Sequence, residues 1–495
     1  MQLHLKREDL YLIYIFLGIS FSILLNAVFN SNGFISPDSS NYLSLAQNIL
    51  NGDGYIIPSD RAQPFAIWPV GYSSMIAGVS FITGASVYYA SKIVNVLFIA
   101  GIFICLRMYY KKETYLVALV FTWASYLVIS FYTWTETFFI FALVFFCSGL
   151  YKCFSKNKPQ FKDYLLLFCS LFLLIFSRYI GAFGIGLVGL FALYSFIKKL
   201  YLRGSLLLVL TTIPIIILAY VLYTNFIITG YPTGMPRIPA PESHLELFIS
   251  LISAFFYELS VLVYSGKSEV YLLFIGQLLV FFWCKHKMGL KKSTLTQKDT
   301  GFEKTLFIVG CTYLFFVILM RWLSHFDPFS YRLIGPGTCL LYIAGIGYGI
   351  KKEIFKTNWV RKYLITISII SLVMNGGYLL VKRYKNGITY NEMISNLNTE
   401  TKHIPKGASV LFNNIHLNYL RLDLNMYRPY FKPYFSEQET WENLLKRIKK
   451  NENTLYINTN TDEIYIPERF HQSILNLYSN LPKNSGYIPY HYETR

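Results

Sequence analysis

Apolar residues in this 495-residue chain gather in long blocks, with polar residues confined to the stretches between them. Blocks of roughly 17–25 apolar residues are long enough to cross a bilayer as helices. The pattern predicts eleven spans, at about residues 10–29, 86–108, 115–132, 135–154, 164–178, 180–197, 206–228, 269–284, 305–323, 332–350 and 362–382. The polar stretch 34–72 follows the first block, and Pro37, Gly52, Gly54, Pro58, Pro64 and Pro69 break it into short pieces. Within it residues 39–50 read as a helix, with Asp38 as N-cap and Gly52 as stop. Residues 70–83 are apolar but short, and read as a helix lying at the membrane interface.

Charge gives an independent check on these spans. The stretches 107–113, 152–162, 198–203, 285–304 and 351–362 are all rich in Lys or Arg. The alternate stretches 34–85, 131–134, 178–179, 229–268 and 324–331 are poorer in positive charge and richer in aromatics and proline. Cytoplasmic loops carry the basic excess, so the N-terminus is expected inside and the 34–85 loop outside. Lys6 and Arg7 precede the first block, and no small-residue cleavage pattern follows it, so that block is expected to be retained as a helix.

The tail from about 384 then lies outside. It is polar, with β-like runs at 409–412 and 454–457 and a helical stretch at about 437–450. The expected fold is therefore an all-α polytopic membrane domain over 1–383, followed by a small soluble extracytoplasmic α/β domain over 384–495.

Composition agrees: 54% of residues are hydrophobic and 15% charged, against about 25% charged in soluble domains. The net charge of +18 follows the loops of the topology and does not indicate a nucleic-acid partner. The seven cysteines fall in or beside apolar blocks without CxxC or Cys/His spacing, and no HExxH, DxD or P-loop motif is present. No organic cofactor or metal site is expected, and a divalent cation is left open.

An ionisable side chain inside a span costs about 2.5–3.5 kcal/mol, so each one present needs a reason. Glu136, Arg178, Arg321, Asp327 and Arg332 all fall at the extracytoplasmic ends of their spans, on the side of Asp38, Asp53, Asp60 and Arg61. Asp38 serves either as a helix cap or as a general base, and the two are compatible. Arg178 and Arg332 either pair with Glu136 and Asp327 or hold a phosphate, with Arg61 and Arg237 as further candidates. Glu136 either satisfies neighbouring polar groups or belongs to the site. Arg321 reads as a snorkelling side chain.

The segment PDSSNYLSLAQNILNGDGY followed by QPFAIWPVGY resembles the first extracytoplasmic loop of the C-type (GT-C) membrane glycosyltransferases. The pattern is similar to protein O-mannosyltransferases and lipid A aminoarabinose transferases. Asp38, Tyr42, Ala46, Gly52, Gly54, Tyr55, Pro64, Pro69, Gly71 and Tyr72 match it, as do Glu136, the Arg178–Tyr179 pair, and Arg332 with Pro336. The usual double proline is here Ile67-Trp68-Pro69-Val70, and the Asp-Glu pair of the O-mannosyltransferases is Asp38-Ser39.

The resemblance implies a polyprenyl-phosphate-linked sugar as donor, with a glycan, lipid or protein acceptor. It implies Asp38 and Glu136 as catalytic residues, with Arg61, Arg178 and Arg332 on the donor phosphate. Tyr42, Tyr72, Tyr179, Arg237 and Asp327 would then contact substrate. A transporter or lipid flippase is the alternative; the chain shows no internal repeat, and its charges cluster at one face.

Overall fold

Helices fill most of the computed structural model, which describes residues 7–57, 60–155, 159–237, 239–240, 242–262, 269–288, 300–324, 326–383, 387–411, 414–427, 454–458 and 487–491. In chain order they are α1 (Arg7–Phe29), α2 (Pro37–Asn51), α3 (Gly71–Thr83), α4 (Val87–Tyr110), α5 (Thr114–Ala118), α6 (Ala124–Phe131), α7 (Glu136–Ser155) and α8 (Phe161–Ser177). There follow α9 (Phe183–Ile197), α10 (Tyr201–Thr229), α11 (His244–Leu259), α12 (Glu269–Met288), α13 (Gly301–Leu323), α14 (Tyr331–Lys351), α15 (Asn358–Arg383), α16 (Tyr390–Thr401) and α17 (Leu417–Leu420).

Among the described residues, seven helical stretches are long and apolar enough to cross a membrane: α1, Val87–Thr122, α7, Tyr179–Ile197, α10, α13 and α14. The expected spans at 164–178, 269–284 and 362–382 fall on α8, α12 and α15. The expected span at 115–132 is not one helix. It comprises α5, a 3-10 turn at Leu119–Thr122, an extended Trp123, and α6. Trp123 donates its indole Nε1–H to Ser368 Oγ of α15 at 3.0 Å, a bond made across the break. The stretch 229–268, read as loop, contains α11, which opens on a capping box between Ser243 and Glu246.

α7 lies at the centre, packed against α4, α6, α8, α13 and α14. α13 and α14 approach closely because glycine sits between them: a Cβ on Gly337 would stand 2.6 Å from Leu314 Cγ. α10, by contrast, is mostly uncovered, with Leu202, Val209, Ile216, Tyr220 and Tyr223 exposed on its surface. An apolar outer face of this extent is what a bilayer covers.

Two elements anticipated between α1 and α4 are present as α2 and α3. The cap of α2 differs from expectation. Ser36 is the N-cap, accepting from Ser39 N–H, and Pro37 takes the first helical position. Asp38 therefore sits inside the first turn and its carboxylate is not used as a cap. Gly52 ends the helix in the left-handed conformation at φ 79°, as its residue type predicts. A short antiparallel pair, β1 (Ile56–Ile57) and β2 (Asp60–Pro64), joins α2 to α3.

After α15 the chain adds α16 and a four-stranded sheet: β3 (Ser409–Leu411), β4 (Asn425–Tyr427), β5 (Thr454–Asn458) and β6 (Tyr487–His491). The strand order is β4-β3-β5-β6, with β3 parallel to both neighbours and β5 antiparallel to β6. Both anticipated strand runs are present as β3 and β5, while the anticipated helix at 437–450 lies outside the described residues. Leu397, Ile404, Val410, Leu417, Leu424 and Met426 form a small core here. α17 rests on α2: Ser44 Oγ donates to Asn418 O at 2.5 Å, and Asn418 Nδ2 donates to Ser40 Oγ at 3.1 Å.

Candidate active site

Five ionisable residues reach one end of the bundle from separate elements. Asp38 comes from the first turn of α2, Glu136 opens α7, Arg178 caps α8, Asp327 lies in the α13–α14 connection, and Arg332 is the second residue of α14. Arg332 is their hub. Its Nη2 is 2.7 Å from Asp38 Oδ2, its Nε 3.1 Å from Glu136 Oε1, and its Nη1 3.4 Å from Asp327 Oδ2. Arg178 Nη1 reaches the same Glu136 oxygen at 2.7 Å.

The Glu136 side chain is 0% exposed, so its charge is stable there only because two guanidiniums meet it. Its second oxygen, Oε2, is buried without a hydrogen-bond partner among the described residues. Three carboxylates face two guanidiniums, leaving one excess negative charge when all are ionised. The Asp38 side chain is 30% exposed. Burial of its carboxyl raises its pKa, Arg332 opposes that shift, and the nearby Asp327 and Glu136 charges add to it.

Trp134 completes the cluster and was absent from the residues singled out by sequence. The Arg332 guanidinium lies 4.1 Å from the Trp134 ring centroid. The same indole donates Nε1–H to Ser36 Oγ at 2.7 Å, and its ring stacks on Tyr132 at 3.9 Å. Trp134 thus touches the central arginine and the N-cap of the helix that carries Asp38. Its position two residues before Glu136 was the available signal.

Asn225 is a second such residue. Its Nδ2 lies 3.0 Å from Tyr179 Oη, 3.3 Å from Ala66 O and 3.1 Å from Pro232 O, and Tyr179 O–H donates to Ala66 O at 3.2 Å. This knot packs the 230–237 loop onto the α2–α3 connection. Gly234, at φ +75°, permits the contact, since a Cβ there would stand 2.5 Å from Ala66 C. Arg237 is exposed at the end of that loop and donates Nε–H to Thr233 Oγ1 at 2.9 Å.

The remaining candidates are placed as follows. Tyr42 is buried with its ring 4.7 Å from Trp68 and 5.3 Å from Tyr72, and burial raises its hydroxyl pKa. Tyr72 is wholly buried and donates O–H to Asn95 Oδ1 of α4 at 2.9 Å. Arg61 lies in β2, and its side chain is outside the described residues.

Arg321 does not snorkel. It is 1% exposed, with Nη2 bonded to Glu242 Oε1 at 2.5 Å and Nε donating to Asp327 O at 3.1 Å. The protein supplies it a carboxylate and a carbonyl, while Nη1 is buried without a hydrogen-bond partner among the described residues. Among the described residues no group of three or more His, Cys, Asp or Glu is placed to hold a metal ion.

No family model matches the chain, and no curated protein matches it. Solved structures do. ArnT from Cupriavidus metallidurans bound to undecaprenyl phosphate superposes with a TM-score of 0.54 at 10% identity, covering 95% of each chain. The oligosaccharyltransferase of Archaeoglobus fulgidus in the apo form gives 0.51 at 10% identity, covering 92% of this chain and 70% of that one. The two share this chain's fold, which is the GT-C architecture that the first-loop pattern resembles.

Proposed function

We propose that this chain is an integral-membrane glycosyltransferase. It moves a sugar from a polyprenyl-phosphate carrier to a glycan, lipid or protein acceptor at the extracytoplasmic face of the cell membrane. The N-terminus lies in the cytoplasm, residues 1–383 form the catalytic membrane domain, and residues 384–495 form an extracytoplasmic domain. The observation that carries this reading is Arg332 held between Asp38 and Glu136 at the end of an apolar bundle. A lipid-tailed anion enters such a site from the bilayer, with its phosphate at the level of the helix ends.

The donor phosphate engages Arg332 and Arg178, whose guanidiniums offer bidentate donors. Arg61 and Arg237, from the adjoining loops, add positive charge against the excess carboxylate. Partial transfer of Arg332 from Asp38 to the phosphate frees the carboxylate to act as base. Asp38 takes the acceptor hydroxyl proton as the acceptor oxygen bonds to the anomeric carbon. The bond from that carbon to the phosphate oxygen breaks with inversion, and the lipid phosphate leaves with the electron pair, stabilised by the arginines. Glu136, buried between them, keeps both arginines aimed. Tyr42, Tyr72 and Tyr179 shape the wall behind the sugar, and Asp327 steadies the far side of Arg332.

The test is transfer from a polyprenyl-phosphate sugar in membranes containing Asp38→Asn or Arg332→Ala. Asp38→Asn should lower turnover about 10²–10⁴-fold with donor binding kept. Arg332→Ala should weaken donor binding as well. Near wild-type turnover in Asp38→Asn removes the base assignment.

A further inference from the structure

Lys92 is a buried cation that the proposed chemistry does not use. It lies on α4, five residues after Val87, and is 1% exposed. Its Nζ donates to Phe131 O at 2.6 Å and to Thr133 Oγ1 at 3.2 Å, and it stands 5.0 Å from the Tyr88 ring centroid. Among the described residues it meets no carboxylate, so its burial is costly and rests on these donor bonds.

It holds the end of α6. That helix stops at Phe131, and its last carbonyls have no following turn to bond them. Ser130 O accepts from Asn95 Nδ2 at 3.0 Å, Phe131 O from Lys92, and Tyr132 O from Asn95 Nδ2 at 2.9 Å. The negative end of the helix dipole faces the ammonium. Ser91 Oγ adds a bond to Thr133 Oγ1 at 2.7 Å, and Tyr72 O–H fixes Asn95 Oδ1. Three consecutive carbonyls and the Thr133 hydroxyl are therefore pinned to α4. The segment so pinned runs directly into Trp134 and Glu136, two of the residues that contact Arg332.

We infer that Lys92 is a positioning residue of the site: it fixes the 131–135 connection and thereby aims Trp134 and Glu136 at Arg332. The inference rests on the proposed polyprenyl-phosphate site for its binding readout and on the geometry alone for a second readout. The first is binding of undecaprenyl phosphate to the purified full-length protein in nanodiscs. Lys92→Met should weaken it about tenfold. Lys92→Met with Trp134→Ala should be no weaker than the worse single variant, because both act through one segment. The second is the fluorine spectrum of protein labelled with 5-fluorotryptophan, with the Trp134 line assigned by Trp134→Phe. Lys92→Met should move that line, while Lys92→Arg, which keeps the donors, should restore it towards its wild-type position.

Additive losses in the double variant, or an unmoved Trp134 line, overturn the inference. Wild-type protein that does not bind undecaprenyl phosphate overturns the functional reading instead, and the fluorine line still decides the role of Lys92. Should Lys92→Met fail to fold, Thr133→Val removes the two bonds that Lys92 and Ser91 make to the Thr133 hydroxyl and should shift the Trp134 line in the same direction; no shift there counts against the clamp.

Discussion

Arg332 Nη2 lies 2.7 Å from Asp38 Oδ2, a contact between residues 294 positions apart. It ties the first turn of α2 to the start of α14 and closes the site around one guanidinium. Removing Arg332 should therefore disturb Asp38 as well as the chemistry.

The acid limb of the rate profile should report this pair. Burial holds the Asp38 carboxyl above its ordinary 3.8, and Arg332 pulls against that shift. A base is active when ionised, so kcat/KM should fall on acidification at a higher pH than an ordinary aspartate would cause. Arg332→Gln removes the charge that lowers the Asp38 pKa and should move the residual limb higher still. A limb that stays in place in Arg332→Gln argues that another group titrates.

Glu136→Gln should destabilise the fold as well as the reaction. The buried carboxylate is shared by Arg178 and Arg332, and neutralising it leaves both cations facing one another. Breaking a buried pair costs about 3–5 kcal/mol. Thermal unfolding in detergent should show a clear drop, while Glu136→Asp, which keeps the charge but shortens the reach, should fall between.

Gly234→Ala and Gly230→Ala form a matched comparison. Both glycines sit at φ +75°, but only Gly234 faces backbone, with Ala66 C at 2.5 Å from an added Cβ. Gly230→Ala should cost only the left-handed backbone penalty, about 1–2 kcal/mol. Gly234→Ala should also free the 230–237 loop from the α2–α3 connection. Faster hydrogen exchange at 63–68 in Gly234→Ala alone would bear this out.

Acid should loosen the tail from the first loop. His416 Nε2 lies 3.1 Å from Asn32 Oδ1 and Nδ1 lies 2.7 Å from Tyr419 Oη, whose hydroxyl is 2.8 Å from that of Tyr390. Burial lowers the His416 pKa from 6.5 to about 4, so the fold favours the neutral ring. The unfolded chain binds the proton first, so this contribution is complete above pH 6.5 and is lost as pH falls towards 4. The loss is on the order of 3 kcal/mol. Hydrogen exchange over 387–427 should rise across that window, and His416→Gln should flatten the rise.

Sequence by itself located most of the long apolar helices, because the length of an apolar block and the depth of a bilayer are directly comparable; it missed the break at Trp123 and read α11 as loop. It also located Glu136, Arg178, Asp327, Arg332 and Asp38 at helix ends, since a charge tolerated beside an apolar span must sit where water or a partner is near. α2 and its Gly52 stop were legible for similarly local reasons. The Asp38 cap was misread because Ser36 and Asp38 are both good caps, and Pro37 between them shifted the start by two residues.

Tertiary structure alone decided the pairings. No local rule states that Arg332 serves three carboxylates, that Trp134 lies beneath it, or that Arg321 is buried against Glu242. Lys92 and Asn95 were invisible for the same reason: their partners are carbonyls on another helix, and a carbonyl has no residue type. Periodicity and hydropathy fix which face of a helix is covered, but the packing of α4, α6, α7 and α14 fixes which polar atoms meet there.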